Sequence, residues 1–170
     1  SQAYGLSFTP GTWVESIQIT KGAGSVVNGY ESISGQINTE LIKPMKDIPF
    51  FLNAYGATDS RFELNAHFNK RVSDYWSTSL FVHGNTRVAK NDMNDDGFLD
   101  NPLGKQINLT NRWQYANPES GWVTFLNLRY MKDDKQSGEI NFDPDRDKLT
   151  TNYWGSEITT ERIDFTSKVG

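Results

Sequence analysis

From position 61 onward the chain repeatedly alternates apolar and polar residues with a period of two. In "RFELNAHFNKRV" Phe62, Leu64, Ala66 and Phe68 fall on one side, and Arg61, Glu63, Asn65, His67 and Asn69 on the other. In "QINLTNRWQY" Ile107, Leu109, Trp113 and Tyr115 oppose Gln106, Asn108, Thr110, Arg112 and Gln114. "WVTFLNLRY" sets Trp122, Leu126, Leu128 and Tyr130 against Asn127 and Arg129, and "ERIDFTSKV" sets Ile163, Phe165 and Val169 against Arg162, Asp164, Thr166 and Lys168. Such alternation marks a strand with two unlike faces. "FFLNAYGAT" and "WSTSLFVHGNT" follow it less cleanly but remain strand-like. The pattern predicts about six strands of roughly ten residues, the length of a tilted membrane-crossing strand.

The connections are uneven. Those at "VSDY" and "ANPESG" are tight, whereas residues 87–105 and 131–160 read as long, polar, Asp-rich loops. Trp76, Trp113, Tyr115 and Trp122 gather near the tight-turn ends. Short turns on one side, long loops on the other and an aromatic girdle are features of outer-membrane barrels. A soluble antiparallel sheet with one wet face gives the same alternation. It needs a second layer over its apolar face, and no strand remains to form one, since nearly every strand is half polar. That alternative would be an extracellular β-sheet domain for carbohydrate binding or adhesion, with exposed Trp and Tyr as sugar platforms.

Before residue 50 the text differs. "WVESIQIT" predicts a short strand over 13–20 carrying Val14, Ile17 and Ile19. A glycine-rich stretch follows, then "GQINTELIKP", with Ile37, Thr39 and Leu41 against Gln36, Asn38 and Glu40. Pro44 ends this unit, and "KPMKDIP" reads as a linker. The division is therefore 1–43, a linker at 44–49, and 50–170.

Composition narrows the function. Apolar residues make up 36% and aromatics 13%, so the apolar side chains are few and large. Cysteine is absent, which excludes disulfides and thiolate metal sites. A net charge of -4 with no basic run argues against a nucleic-acid partner. No apolar run is long enough for a transmembrane helix, and no signal peptide is visible. The chain opens without Met and closes at "DFTSKVG" within an alternating pattern, which reads as a piece of a longer protein. The two histidines, His67 and His83, have no nucleophile motif beside them, so an enzyme is not expected.

"VESIQITKGAGSVVNGYESISGQIN" resembles the end of the plug domain of TonB-dependent outer-membrane receptors. Glu15, Ile17, Ile19, Lys21, Gly22, Ser25, Gly29, Gly35, Ile37 and Asn38 match the family pattern, and Ala23, Asn28 and the Ser34-Gly35 pair depart from it. The resemblance implies an all-β fold: the first strands of a plugged antiparallel barrel, preceded by the end of a small α+β plug domain. Complete barrels of this kind have about 22 strands. It also implies active import of a scarce solute (siderophore, haem, cobalamin, metal complex or glycan) across the bacterial outer membrane. The partners would be lipid, the solute, and the TonB complex, reached through a segment preceding this chain. Gly22, Gly24, Gly29 and Gly35 would allow positive φ and close backbone approach in a plug packed on a polar wall. Near the bend, Asn28, Tyr30 and Glu31 are the candidate ligand contacts.

Two further candidates come from the residues alone. His67 and His83 are expected on one face of neighbouring strands, about 5 to 8 Å apart if directly or diagonally paired. Two imidazoles are fewer ligands than a full metal site uses. In "DMNDDGFLD" Asp92, Asn94 and Asp96 take positions one, three and five of a calcium-loop pattern, Gly97 position six and Asp100 position nine. The Phe98 carbonyl would add an oxygen. Leu103 stands where the closing Glu belongs, so the loop is not an EF-hand, and Ca2+ is its candidate ion. No other cofactor is required.

Overall fold

A computed structural model describes residues 8–24 and 33–170. The described residues form an all-β structure of eight strands in two antiparallel sheets. The smaller sheet pairs β1 (Val14–Lys21) with β2 (Gly35–Leu41). A 3-10 turn, Gly11–Trp13, leads into β1. No α-helix occurs among the described residues of 1–43; the one helix, α1 (Pro144–Asp147), lies elsewhere.

The larger sheet is a meander of six strands. They are β3 (Phe50–Gly56), β4 (Arg61–Arg71), β5 (Trp76–Arg87), β6 (Leu103–Ala116), β7 (Val123–Gly138) and β8 (Gly155–Val169), each hydrogen-bonded to its chain neighbour. All six correspond to expected strands. Their lengths run from 7 to 16 residues rather than about ten. The loops expected at 87–105 and 131–160 shrink to 88–102 and 139–154, because β5 and β6 pair out to Arg87↔Gly104 and β7 and β8 continue pairing from Met131↔Arg162 to Gly138↔Gly155. The reason is chemical: "KDDKQSG" is polar on both faces, so hydrophobic periodicity is silent there while the backbone ladder continues.

Register fixes the faces. Leu64 pairs with Gly84, Val82 with Leu109, Trp113 with Leu126, and Leu128 with Phe165, so these residues share one side. On the other side His67 pairs with Phe81, His83 with Asn108, and Thr110 with Arg129. The exposure is the reverse of a soluble sheet. Phe62, Leu64, Leu128 and Phe165 are 50 to 70% exposed. Asn65, His67, Ser79, His83, Asn108 and Asp133 are buried. Leu109 and Leu126 share the apolar face with partial exposure. Phe81 and Met131 are the apolar residues fully buried on the polar face, and Phe81 explains why β5 alternates poorly.

The two ends of the sheet also differ. At the tight-turn end, Trp76 lies 6.2 Å from Trp113 and 5.2 Å from Tyr115 by ring centroids, and Tyr75 lies 6.0 Å from Tyr115. At the other end the two long connections fasten together. Leu99 N–H donates to the Gly138 carbonyl at 2.9 Å, Ile140 N–H to Gly97 at 2.8 Å, and Lys90 Nζ to the Ile140 carbonyl at 2.7 Å. Gly138 has φ +124°, and any side chain there would strike the Trp154 and Gly155 backbone. In the smaller sheet Gly22 has φ +84°, whereas Gly35 sits in β2, close against the Thr20 carbonyl.

Candidate functional site

The polar face of the larger sheet receives the N-terminal segment. Trp13 is buried there, 5.4 Å from Phe81 and edge-on to His83 at 6.4 Å. Asn108 Nδ2 donates to the Phe8 carbonyl at 2.6 Å, and the Arg129 guanidinium donates to the same oxygen. Arg129 Nε also donates to Asn108 Oδ1 at 3.0 Å. Arg112 donates to the carbonyls of Leu41 and Ile42 at 3.0 and 3.3 Å, and its guanidinium lies 4.5 Å from the Phe125 ring centre. Residues of β6 and β7 thus satisfy backbone carbonyls that the docked segment would otherwise bury unpaired, a cost of about 1 to 3 kcal/mol per group.

The linker is held at the same face. Asn69 Nδ2 donates to Asp47 Oδ2 at 2.9 Å and to the Ile48 carbonyl at 2.6 Å. His67 Nε2 stands 2.6 Å from Asp47 Oδ2, close but off the line of a good hydrogen bond. Phe51 stacks on the His67 ring with centroids 4.8 Å apart.

Toward the long-loop end, side chains form a continuous ribbon across four strands. Arg61 donates to Glu63 Oε2 at 2.9 Å, and Asn65 Nδ2 donates to Glu63 Oε1 at 2.9 Å. Asn65 Oδ1 meets His83 Nδ1 at 2.7 Å, and Asn85 Nδ2 meets His83 Nε2 at 3.0 Å. Asn85 Nδ2 also donates to Gln106 Oε1 at 3.2 Å, and Gln106 Nε2 donates to Asp133 Oδ1 at 3.2 Å. Lys135 closes the ribbon on Asp133 Oδ2 at 2.9 Å. The chain of donors is self-consistent for a neutral His83: Nε2 accepts from Asn85, so Nδ1 carries the proton and donates to Asn65. A cavity of about 280 Å³ opens over this ribbon, bounded by Pro10 and Gly11 of the docked segment and by Arg87 and Leu103. Burial and partnering fix Gln106, His83 and Asp133 in its lining.

No family model, curated protein or solved structure matches the chain.

The expected site residues fare differently. Asn28, Tyr30 and Glu31 lie outside the described residues. His67 and His83 do share a face, diagonally placed, since His67 pairs with Phe81 and His83 with Asn65. The His83 ring nitrogens meet two asparagines, whereas the His67 ring stacks on Phe51 beside Asp47 and neither of its nitrogens makes a well-aligned hydrogen bond. Asp92, Asn94, Asp96, Phe98 and Asp100 all fall in the β5–β6 connection. Asp92 accepts the N–H of Asp96 at 3.1 Å and of Gly97 at 2.8 Å. Asp96 accepts from Phe98 N–H at 2.8 Å and from Asn94 Nδ2 at 3.0 Å, and Asp100 accepts from Met93 N–H at 2.8 Å. The carboxylates are turned onto the loop's own donors. No group of three or more His, Cys, Asp or Glu side chains placed for a metal occurs among the described residues.

In the β7–β8 connection Asp147 is tied by Arg146 at 2.7 and 3.0 Å and accepts from Asp143 N–H at 3.0 Å. The Arg146 guanidinium holds the Asp147 carboxyl below its ordinary value, and the carboxylate in turn raises Arg146. Sequence reasoning missed Trp13, Asp47, Asn85 and Asp133 as polar-face residues, and it placed Gln106 on that face without joining it to them. Strand register was the missing signal: Asn85↔Gln106 and Gln106↔Asp133 are direct cross-strand pairs.

Proposed function

We propose that the chain is the C-terminal part of the plug and the first barrel strands of a TonB-dependent outer-membrane transporter. It would take part in active import of a scarce solute: a siderophore, haem, cobalamin, a metal complex or a glycan. On this reading residues 1–43 belong to the plug, 44–49 link it to the barrel, and β3–β8 are six of the barrel's strands. Energy would arrive from the TonB complex through a segment preceding this chain.

One observation carries the reading: the large sheet exposes its apolar face and buries its polar one. Water would leave Phe62, Leu64, Leu128 and Phe165 as an uncovered apolar surface, whereas lipid is their natural solvent. The polar face, conversely, meets a folded segment that supplies backbone carbonyls to Asn108, Arg112 and Arg129. A barrel lumen holding a plug has this chemistry. The aromatic cluster at the tight-turn end and the long paired loops at the other supply the polarity of an outer-membrane barrel. The soluble binding-domain alternative leaves the apolar face without a cover.

Full-length protein in its own cells should sediment with the outer membrane and resist alkaline carbonate extraction. Recovery as a carbonate-soluble or periplasmic protein would overturn the assignment.

A further inference from the structure

The cleft over the polar ribbon has a chemistry narrower than the solute list above. Its cations are all matched. Arg61 pairs with Glu63, Arg87 with Asp59 and Lys135 with Asp133, each at 2.9 Å. Glu63 and Asp133 line the cleft with the three cations, and Asp59, just outside the lining, takes up Arg87, so each cation has a carboxylate partner. An anionic solute would have to lie beside a carboxylate or take a cation from its partner, stranding a charge in a poorly solvated place. A cationic solute meets the converse problem.

Neutral hydrogen-bonding groups, in contrast, remain available between the pairs. Both hydrogens of the Asn85 amide are used, on His83 and Gln106, which leaves its carbonyl oxygen as an acceptor. Gln106 Nε2 spends one hydrogen on Asp133, which leaves the other as a donor. Gln106 is 6% exposed and its neighbours His83 and Asp133 are buried, so the amides are fixed in orientation before any solute arrives. An acceptor and a donor side by side match a hydroxyl group, which both donates and accepts. Pro10 and Leu103 add apolar surface on which the C–H face of a ring can lie. The volume, about 280 Å³, lies just below the roughly 300 to 1,000 Å³ range of drug-sized ligand clefts, room for a single sugar ring.

We propose that this cleft is a subsite for a neutral, hydroxyl-rich solute, a sugar residue of an uncharged glycan or glycoside, gripped by the Asn85 and Gln106 amides. The proposal rests on the transporter reading and selects one solute class from it. Asn85 and Gln106 are the specificity-determining pair. The surrounding ion pairs exclude charged solutes by being already satisfied.

The test uses full-length protein in lipid nanodiscs on an array of neutral oligosaccharides, with oligouronates and ferric citrate as charged comparators. At least one neutral glycan should be retained, and Asn85→Ala and Gln106→Ala should each weaken it tenfold or more. Asn85→Asp, which adds a charge at nearly constant shape, should do the same. Folding of every variant is checked by its heat-dependent shift in gel migration, and a variant that loses the shift is replaced by Asn85→Ser or Gln106→Ser. Retention of no neutral glycan, tighter binding of a charged comparator, or a neutral glycan indifferent to these substitutions would overturn the proposal. If sugar binding fails while the protein stays carbonate-resistant in the outer membrane, the solute class is wrong and the transporter reading survives. If sugar binding succeeds in a carbonate-soluble protein, the subsite stands and the transporter reading falls.

Discussion

The two faces of the large sheet are built from the same strands and share every backbone hydrogen bond, yet they solve opposite problems. On the polar face, Asn65, His83 and Asn108 are buried and each has a side-chain or backbone partner. On the apolar face, Leu64 and Phe165 are exposed, and among the described residues no second layer covers them. In water this arrangement would be upside down, since burial of apolar area drives folding. Period-two patterning specifies that a strand has two faces; it does not say which one turns inward. What decides the direction here is the docked segment around Phe8, Trp13 and Leu41, which brings the carbonyls of Phe8, Leu41 and Ile42 as well as the Trp13 ring to this face.

The comparison is broken most forcefully from the apolar side. In full-length protein refolded into vesicles, Leu64→Arg or Leu128→Arg should each cost about 2 to 4 kcal/mol if the residue sits near the bilayer midplane. Denaturant titration in vesicles measures this. If the face meets water, the same changes should stay within about 0.5 kcal/mol. From the polar side the expected loss is smaller. Asn108→Leu leaves the Phe8 carbonyl and Arg129 each short of one partner, at a cost of about 1 to 3 kcal/mol in the same titration. A neutral or stabilising result would mean the docked segment does not depend on this face.

The smallest effect belongs to the loop end, outside both faces. Arg146 depresses the Asp147 carboxyl, so the pair's contribution is present above the ordinary Asp value near 3.9 and is lost as pH falls through the lower folded value. Arg146 is 61% exposed at its side chain, so screening keeps the contribution small. Pepsin cutting beside the exposed Leu149 should accelerate below about pH 3.9 relative to a loop-free site. Asp147→Asn should remove that acceleration, and an unchanged pH profile in the variant would contradict the assigned cause.

Much of the sheet was legible because β4, β6, β7 and β8 carried enough large residues to show a period, while β3 and β5 showed it less cleanly. Phe62, Leu64, Ala66 and Phe68 marked β4 without help from any neighbour. The far ends of β7 and β8 were not legible, because Lys132, Asp133, Asp134 and Lys135 are polar on both sides and only cross-strand pairing reveals them. The site was harder still. Asn85, Gln106 and Asp133 are ordinary polar residues in sequence, separated by loops whose lengths had to be known before their levels could be matched. Asp92 and Asp96 show a further gap: their spacing in sequence does not reveal that their oxygens accept turn N–H groups within the loop.

The central claim is that one face of these strands meets lipid and the other does not. These 170 residues hold no cysteine, so single-cysteine variants at each position from 61 to 71, made in full-length protein with any cysteine outside them replaced, carry one spin label each. Oxygen accessibility, which is high in lipid, is then compared with that of a water-soluble nickel chelate. The account predicts a period of two, with lipid-type accessibility at Phe62, Leu64, Ala66 and Phe68 and low accessibility at Asn65, His67 and Asn69. Nickel accessibility at Leu64 equal to that of a label in an aqueous loop, or a profile without the alternation, would contradict it.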